Sequence, residues 1–175
     1  MTRVAITIVA CLGAVTGCQS LQTYPATSGR PIADANVPPM PEVCVLAIKT
    51  GHSKSSVAGN PIIFNLPPGM NRAAWSKVDA GLPETACAAV TGDTAIVSVE
   101  EVRINGGKAE VDVVVPQDDV YQSFTIHMTG SPFGPWRVTY IQPWTLRTAV
   151  PTPNSPWKDA VSSSGASAVT TGVEH

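Results

Sequence analysis

The chain has 175 residues, 43% of them hydrophobic and 14% charged, with a formal net charge of −2. That balance belongs to a globular protein and not to a disordered one. No cluster of lysine and arginine could neutralise a run of phosphates, which argues against nucleic-acid binding.

The N-terminus reads as a secretory signal: a cation at Arg3, an apolar stretch from Val4 to Val15, and small residues before a cleavage point. The stretch falls short of the ~20 apolar residues that a spanning helix needs. Val15-Thr16-Gly17-Cys18 puts a cysteine directly after a small pair, and this run resembles the lipobox of bacterial lipoproteins. The resemblance implies that residues 1–17 are removed and that diacylated Cys18 becomes the mature N-terminus. The implied partner is a membrane, reached through the lipid on the extracytoplasmic side of the cell envelope. In that family an aspartate after the cysteine favours inner-membrane retention. Gln19 stands there instead, which implies the periplasmic face of the outer membrane in a double-membrane source. Ordinary secretion, with cleavage nearby, is the alternative. Each buried acyl methylene contributes about 0.8 kcal/mol, so two or more chains make a lasting anchor.

Residues 18–41 follow as a tether, with Pro25, Pro31, Pro38, Pro39 and Pro41 among Ser, Thr, Gly and Ala. Such a segment buries too little apolar area to fold and is stiffened towards an extended form. One globular domain is expected over residues 42–150, and a disordered tail over 151–175. Trp157 in that tail reads as docking on the domain, or else as a short binding element.

Within the domain, Pro41 to Lys49 suits either a helix start or a strand, and Ile62-Ile63-Phe64 a short buried strand or plug. Asn71 to Leu82 places Ala74, Val78 and Leu82 at helical spacing with Trp75 beside them, Asn71 as N-cap and Gly81 with Pro83 at the end. Ala95 to Ile104 reads as a strand whose apolar phase changes near Glu100-Glu101, which predicts a bulge. Asn105-Gly106-Gly107 is a hairpin turn, after which Ala109, Val111, Val113 and Val115 share one face. Tyr121 to Met128 and Trp136 to Gln142 alternate in the same way, split by a turn-rich segment from Gly130 to Pro135. The expected fold class is therefore α+β, a bent four-stranded antiparallel meander packed on one or two N-terminal helices. This order resembles the cystatin-like and NTF2-like rolls over roughly Ala73 to Trp144. A small β-sandwich is the alternative.

Once the lipobox assigns Cys18 to a lipid, the domain keeps Cys44 and Cys87. In an oxidising compartment the pair reads as a disulfide, whose loop closure would contribute about 4 kcal/mol. Two buried free thiols are the alternative. Neither cysteine has a second ligand at metal-binding spacing, and no cofactor is expected.

No nucleophile elbow, phosphate loop or dinucleotide fingerprint occurs. His52 and His175 lie in loop-like and tail segments, and His127 lies mid-strand with Ser123 and Thr125 on its face. The resemblance to the NTF2-like roll implies a cavity between helix and sheet, for which Trp75, Trp136, Tyr140 and His127 are the candidate lining residues. Cystatin inhibitors carry a Gln-Val-x-Val-x-Gly loop that this chain lacks. The function expected is a non-enzymatic envelope lipoprotein domain acting on an envelope protein. A cavity protein that binds or converts a small molecule is the alternative.

Overall fold

The structure, a computed structural model, describes residues 21–27, 29–131 and 134–157. The signal, Cys18 and residues 158–175 lie outside the described residues. In chain order the elements are β1 (Gln22–Tyr24), α1 (Met40–Lys54), β2 (Ile63–Asn65), α2 (Arg72–Gly81), β3 (Cys87–Ala88), β4 (Ile96–Asn105), β5 (Lys108–Gln117), β6 (Val120–Ser131) and β7 (Gly134–Thr148).

The strands form a seven-stranded mixed sheet in the order β3-β2-β4-β5-β6-β7, with β1 pairing with β4 off that path. This corrects the expected α+β meander on helices. Strand accounts for 41% of the described residues and helix for 19%, so the fold is mostly sheet. The added strands come from segments too short for periodicity to reveal. β2 runs parallel to both β3 and β4, and β1 runs antiparallel to β4. β1 and the segment behind it also fall where composition suggested a free tether. Thr23 donates to the Pro31 carbonyl and accepts from Ala33 N–H, each at 3.0 Å, and Ala33 and Ala35 are buried. Main-chain pairing to β4 stabilises a proline-rich segment that has little apolar area of its own.

β4 to β7 run antiparallel in succession. A two-residue turn joins β4 to β5, with Asn105 opposite Lys108 and Gly106 at φ 57°, the left-handed region that glycine occupies without strain. The register slips between Val99 and Glu101, which puts the bulge at Glu100 and lets both Val99 and Val102 face inwards. The inner face is Val97, Val99, Val102, Val111, Val113, Val115, Ile126 and Met128, all buried. α1 crosses this face with Gly51 against the valines. A Cβ there would lie 3.2 Å from Val115, 3.4 Å from Val97 and 3.5 Å from Val113. α2 starts as its sequence indicates, the Asn71 side chain accepting from Ala74 N–H at 3.0 Å, and buries Ala74, Trp75 and Val78.

The chain beyond β7 also differs from the expected loose tail, as far as Trp157. Asn65, buried on β2, donates through Nδ2 to Ser98 Oγ (3.0 Å) and to the Thr152 carbonyl (3.1 Å). Its Oδ1 accepts from Asn154 N–H at 2.8 Å, and Asn154 Nδ2 donates to the Leu66 carbonyl at 3.1 Å. Trp157 then meets Trp75 edge-on, with ring centroids 6.0 Å apart. One buried amide thus closes a polar clasp that a composition reading cannot see.

Candidate binding surface

The sheet has one face under α1 and one face open. Alternation along β4 to β7 carries polar side chains to the open face, and the register lines them up across strands. Arg103 on β4 stands opposite Glu110, Asp112 opposite Thr125, and Glu110 opposite His127, which stands opposite Tyr140. The result is a connected row. Arg103 grips Asp112 with two parallel bonds, Nη1 to Oδ2 at 2.7 Å and Nη2 to Oδ1 at 2.9 Å. It also meets Glu110 at 3.2 Å and Glu101 at 3.3 Å. Thr125 donates its hydroxyl to Asp112 Oδ1 at 2.6 Å and accepts from the Trp144 indole N–H at 2.9 Å.

These contacts favour the charged forms of Arg103 and Asp112. Burial alone would push the Asp112 carboxyl up, but the bonds from Arg103 and Thr125 and the guanidinium charge outweigh it and hold the carboxyl below its usual range. The same bonds raise Arg103, against the opposing effect of its partial burial. The row is therefore a fixed ion pair whose outer end orients a tryptophan. Trp144 (44% exposed) and Tyr140 (59% exposed) are the large aromatics it presents to solvent. Beside Trp144 lies a cleft of about 520 Å³ lined by Glu100, Asp112, Val114, Ser123, Thr148 and the segment Ala149 to Pro151.

The four residues assigned to a helix–sheet cavity do not come together. Trp75 is wholly buried between Phe64 and Trp157. Trp136 lines a separate apolar groove of about 640 Å³, bounded by Val45 and Leu46 of α1, Ala80 and Gly81 of α2, and Pro135. His127 and Tyr140 pair on the open face, ring centroids 5.5 Å apart, with His127 Nδ1 3.5 Å from Glu110 Oε1. The physical reason is close packing, since the space between α1 and the sheet is filled by valines drawn up to Gly51.

No family model, curated protein or solved structure matches this chain.

Cys44 and Cys87, expected as a bridge or as two free thiols, are both free in this structure. Cys44 is buried in α1, where desolvation and then the Glu42 carboxylate push its thiol up to about 12. Cys87 is exposed on β3 at the sheet edge, its thiol raised by partial burial and by Asp93 and Asp79. Among the described residues no group of three or more His, Cys, Asp and Glu side chains could hold a metal ion. No described helix is long and apolar enough to cross a membrane.

Arg103, Asp112, Thr125 and Trp144 are the residues that sequence reasoning missed. The signal lay in the turn at Gly106-Gly107. Given that turn, Asn105 faces Lys108, Arg103 must face Glu110, and Asp112, two residues further along β5, lies on the diagonal of the same face beside the guanidinium.

Proposed function

We propose that this chain is a lipid-anchored domain of the bacterial cell envelope, held extracytoplasmically through Cys18, that works by binding an envelope protein rather than by catalysis. The observation that carries the binding part is the open face of β4–β7, where Tyr140 and Trp144 stand exposed above a fixed Arg103–Asp112–Thr125 row. Rigid aromatics present large contact area at small entropic cost, and interface hot spots are rich in them. Trp144 is already oriented by its indole bond, so little ordering remains for the moment of contact. The anchoring part rests on the residues up to Cys18.

Two measurements test the reading. Mass spectrometry of the mature N-terminus from cells should find Cys18 acylated, and an unmodified chain cut elsewhere would overturn the anchor. Affinity capture with the native chain and with a Tyr140→Ala form should retain one specific envelope protein in the first and lose it in the second. Equal retention would remove this face from the function.

A further inference from the structure

The sheet ends in two edges of unlike length. β3, at one edge, is 2 residues long. β7, at the other, runs for 15 residues, and among the described residues its outer side pairs with no strand. A long open edge offers unpaired N–H and C=O groups to an extended chain. Proline has no N–H to offer, so Pro135 and Pro143 bound the usable stretch to residues 136–142. That stretch is of ordinary strand length. Along it, Arg137 stands opposite Thr129, Tyr140 opposite His127 and Gln142 opposite Thr125. The register slips beside Thr139, whose hydroxyl donates to the His127 carbonyl at 3.1 Å, and this keeps Arg137 and Tyr140 on one face. With Trp144 bonded to Thr125, these side chains form the margin of the open face.

We infer that an extended, acidic segment of the envelope protein pairs with the outer edge of β7 along residues 136–142 and continues the sheet. This inference rests on the reading of the open face as the binding surface and states how the partner is held there. Main-chain bonds to β7 supply affinity, and the side chains at the margin supply selection. Charge decides the kind of segment. Arg137 is exposed and makes no ion pair among the described residues. No Asp or Glu occurs in β6 or β7. Lys108, across Thr129 from Arg137, adds a second cation. The acids of the open face stand further in, on β4 and β5, where Glu101, Glu110 and Asp112 share Arg103 and Glu100 lines the cleft. Asp118 and Asp119 lie beyond the Tyr121–Thr148 pair, past the end of this stretch. At the groove beside Trp136, Glu42 is outnumbered by Lys49 and Lys77. A second copy laid on this edge would bring Arg137 and Arg147 of both chains to one seam with no acid between them, and like charges disfavour such pairing. An acid opposite Arg137 instead gains an ion pair that the sheet leaves open, with apolar side chains beside Tyr140 and Trp144 completing the fit.

The test follows amide hydrogen exchange along β7 in the full mature chain, with three end-blocked peptides as probes. They are Glu-Val-Thr-Val-Thr-Val-Glu, the same peptide with lysine for both glutamates, and the glutamate peptide with every amide N-methylated. At an occupancy of about 90% only the free tenth of the chain exchanges, so the glutamate peptide should slow the outer amides of residues 136–142 about tenfold. The lysine and N-methylated peptides should leave them unchanged, and Arg137→Glu should transfer the protection to the lysine peptide. Equal slowing by the glutamate and lysine peptides, or slowing by none, would overturn the inference. So would slowing that grows with protein concentration in the absence of peptide, which marks a second copy on the edge. Failure of the face itself looks different. An envelope protein retained by the native chain and lost with Tyr140→Ala, beside an unprotected β7 edge, would keep the face and remove strand addition, whereas equal retention would remove the face.

Discussion

Replacing Thr125 by valine removes one hydroxyl from the centre of the open-face row while keeping the shape of the side chain. Thr125 is buried, and its hydroxyl makes two bonds, to Asp112 Oδ1 at 2.6 Å and from Trp144 Nε1 at 2.9 Å. The first goes to a charged acceptor and is worth roughly 1.5–3 kcal/mol, the second roughly 1 kcal/mol. Asp112 keeps both bonds from Arg103 and is partly open to water, and valine is the more apolar side chain. Together these place the net loss near the lower end, at about 2 kcal/mol. For a domain of this size that corresponds to a fall in Tm of roughly 5–10 °C. Thermal unfolding followed by circular dichroism reads the shift. A cycle with Trp144→Phe isolates the indole bond and should return a coupling of about 1 kcal/mol. A Thr125→Val chain that unfolds within about 0.5 kcal/mol of the native one, or a coupling near zero, would show that the row does not orient Trp144.

Other outcomes follow from the same geometry. Asn65→Ala deletes its bond to Ser98 and the two that hold the C-terminal segment and should cost roughly 2–4 kcal/mol, with protease cleavage appearing between Val150 and Trp157; an unchanged digestion pattern would rule the clasp out. Asp112 releases its proton more readily folded than at its ordinary 3.8, so its contribution is complete above that value and is lost as pH falls through the folded pKa. The stability gap between the native chain and Asp112→Asn should therefore narrow in acid, and a gap constant down to about pH 2 would contradict this. In the folded protein a maleimide should modify Cys87 at once and Cys44 only after unfolding, whereas protection of both until reduction would show the disulfide.

What the sequence made legible is what local chemistry determines. The Asn71 cap, the Gly106-Gly107 turn and the change of phase at Glu100 each leave a mark within a few residues, and the elements they delimit are where those marks put them. The short strands β1 and β3 leave no such mark. Gln22–Tyr24 and Cys87–Ala88 are strands because β4 and β2 offer unpaired backbone beside them, a fact recorded elsewhere in the chain. For that reason a meander on helices was expected where a mixed sheet stands. The clasp at Asn65 depends on a partner 87 residues away, beyond the reach of composition. On the open face of the sheet, alternation places Thr125 and His127 together. Trp136 and Tyr140 share a strand phase, yet the register slips in the β6–β7 pair carry one to the groove and the other to the open face.

The most direct test of the account replaces Tyr140 with a photocrosslinking phenylalanine analogue in cells and compares it with the same analogue at Glu84, an exposed position beyond α2. The account predicts a single crosslinked envelope protein from position 140, absent from position 84 and absent when Cys18→Ala releases the chain from its membrane. The same product from both positions, or an undiminished product from the unanchored chain, would contradict a lipid-anchored domain that binds through the open face of its sheet.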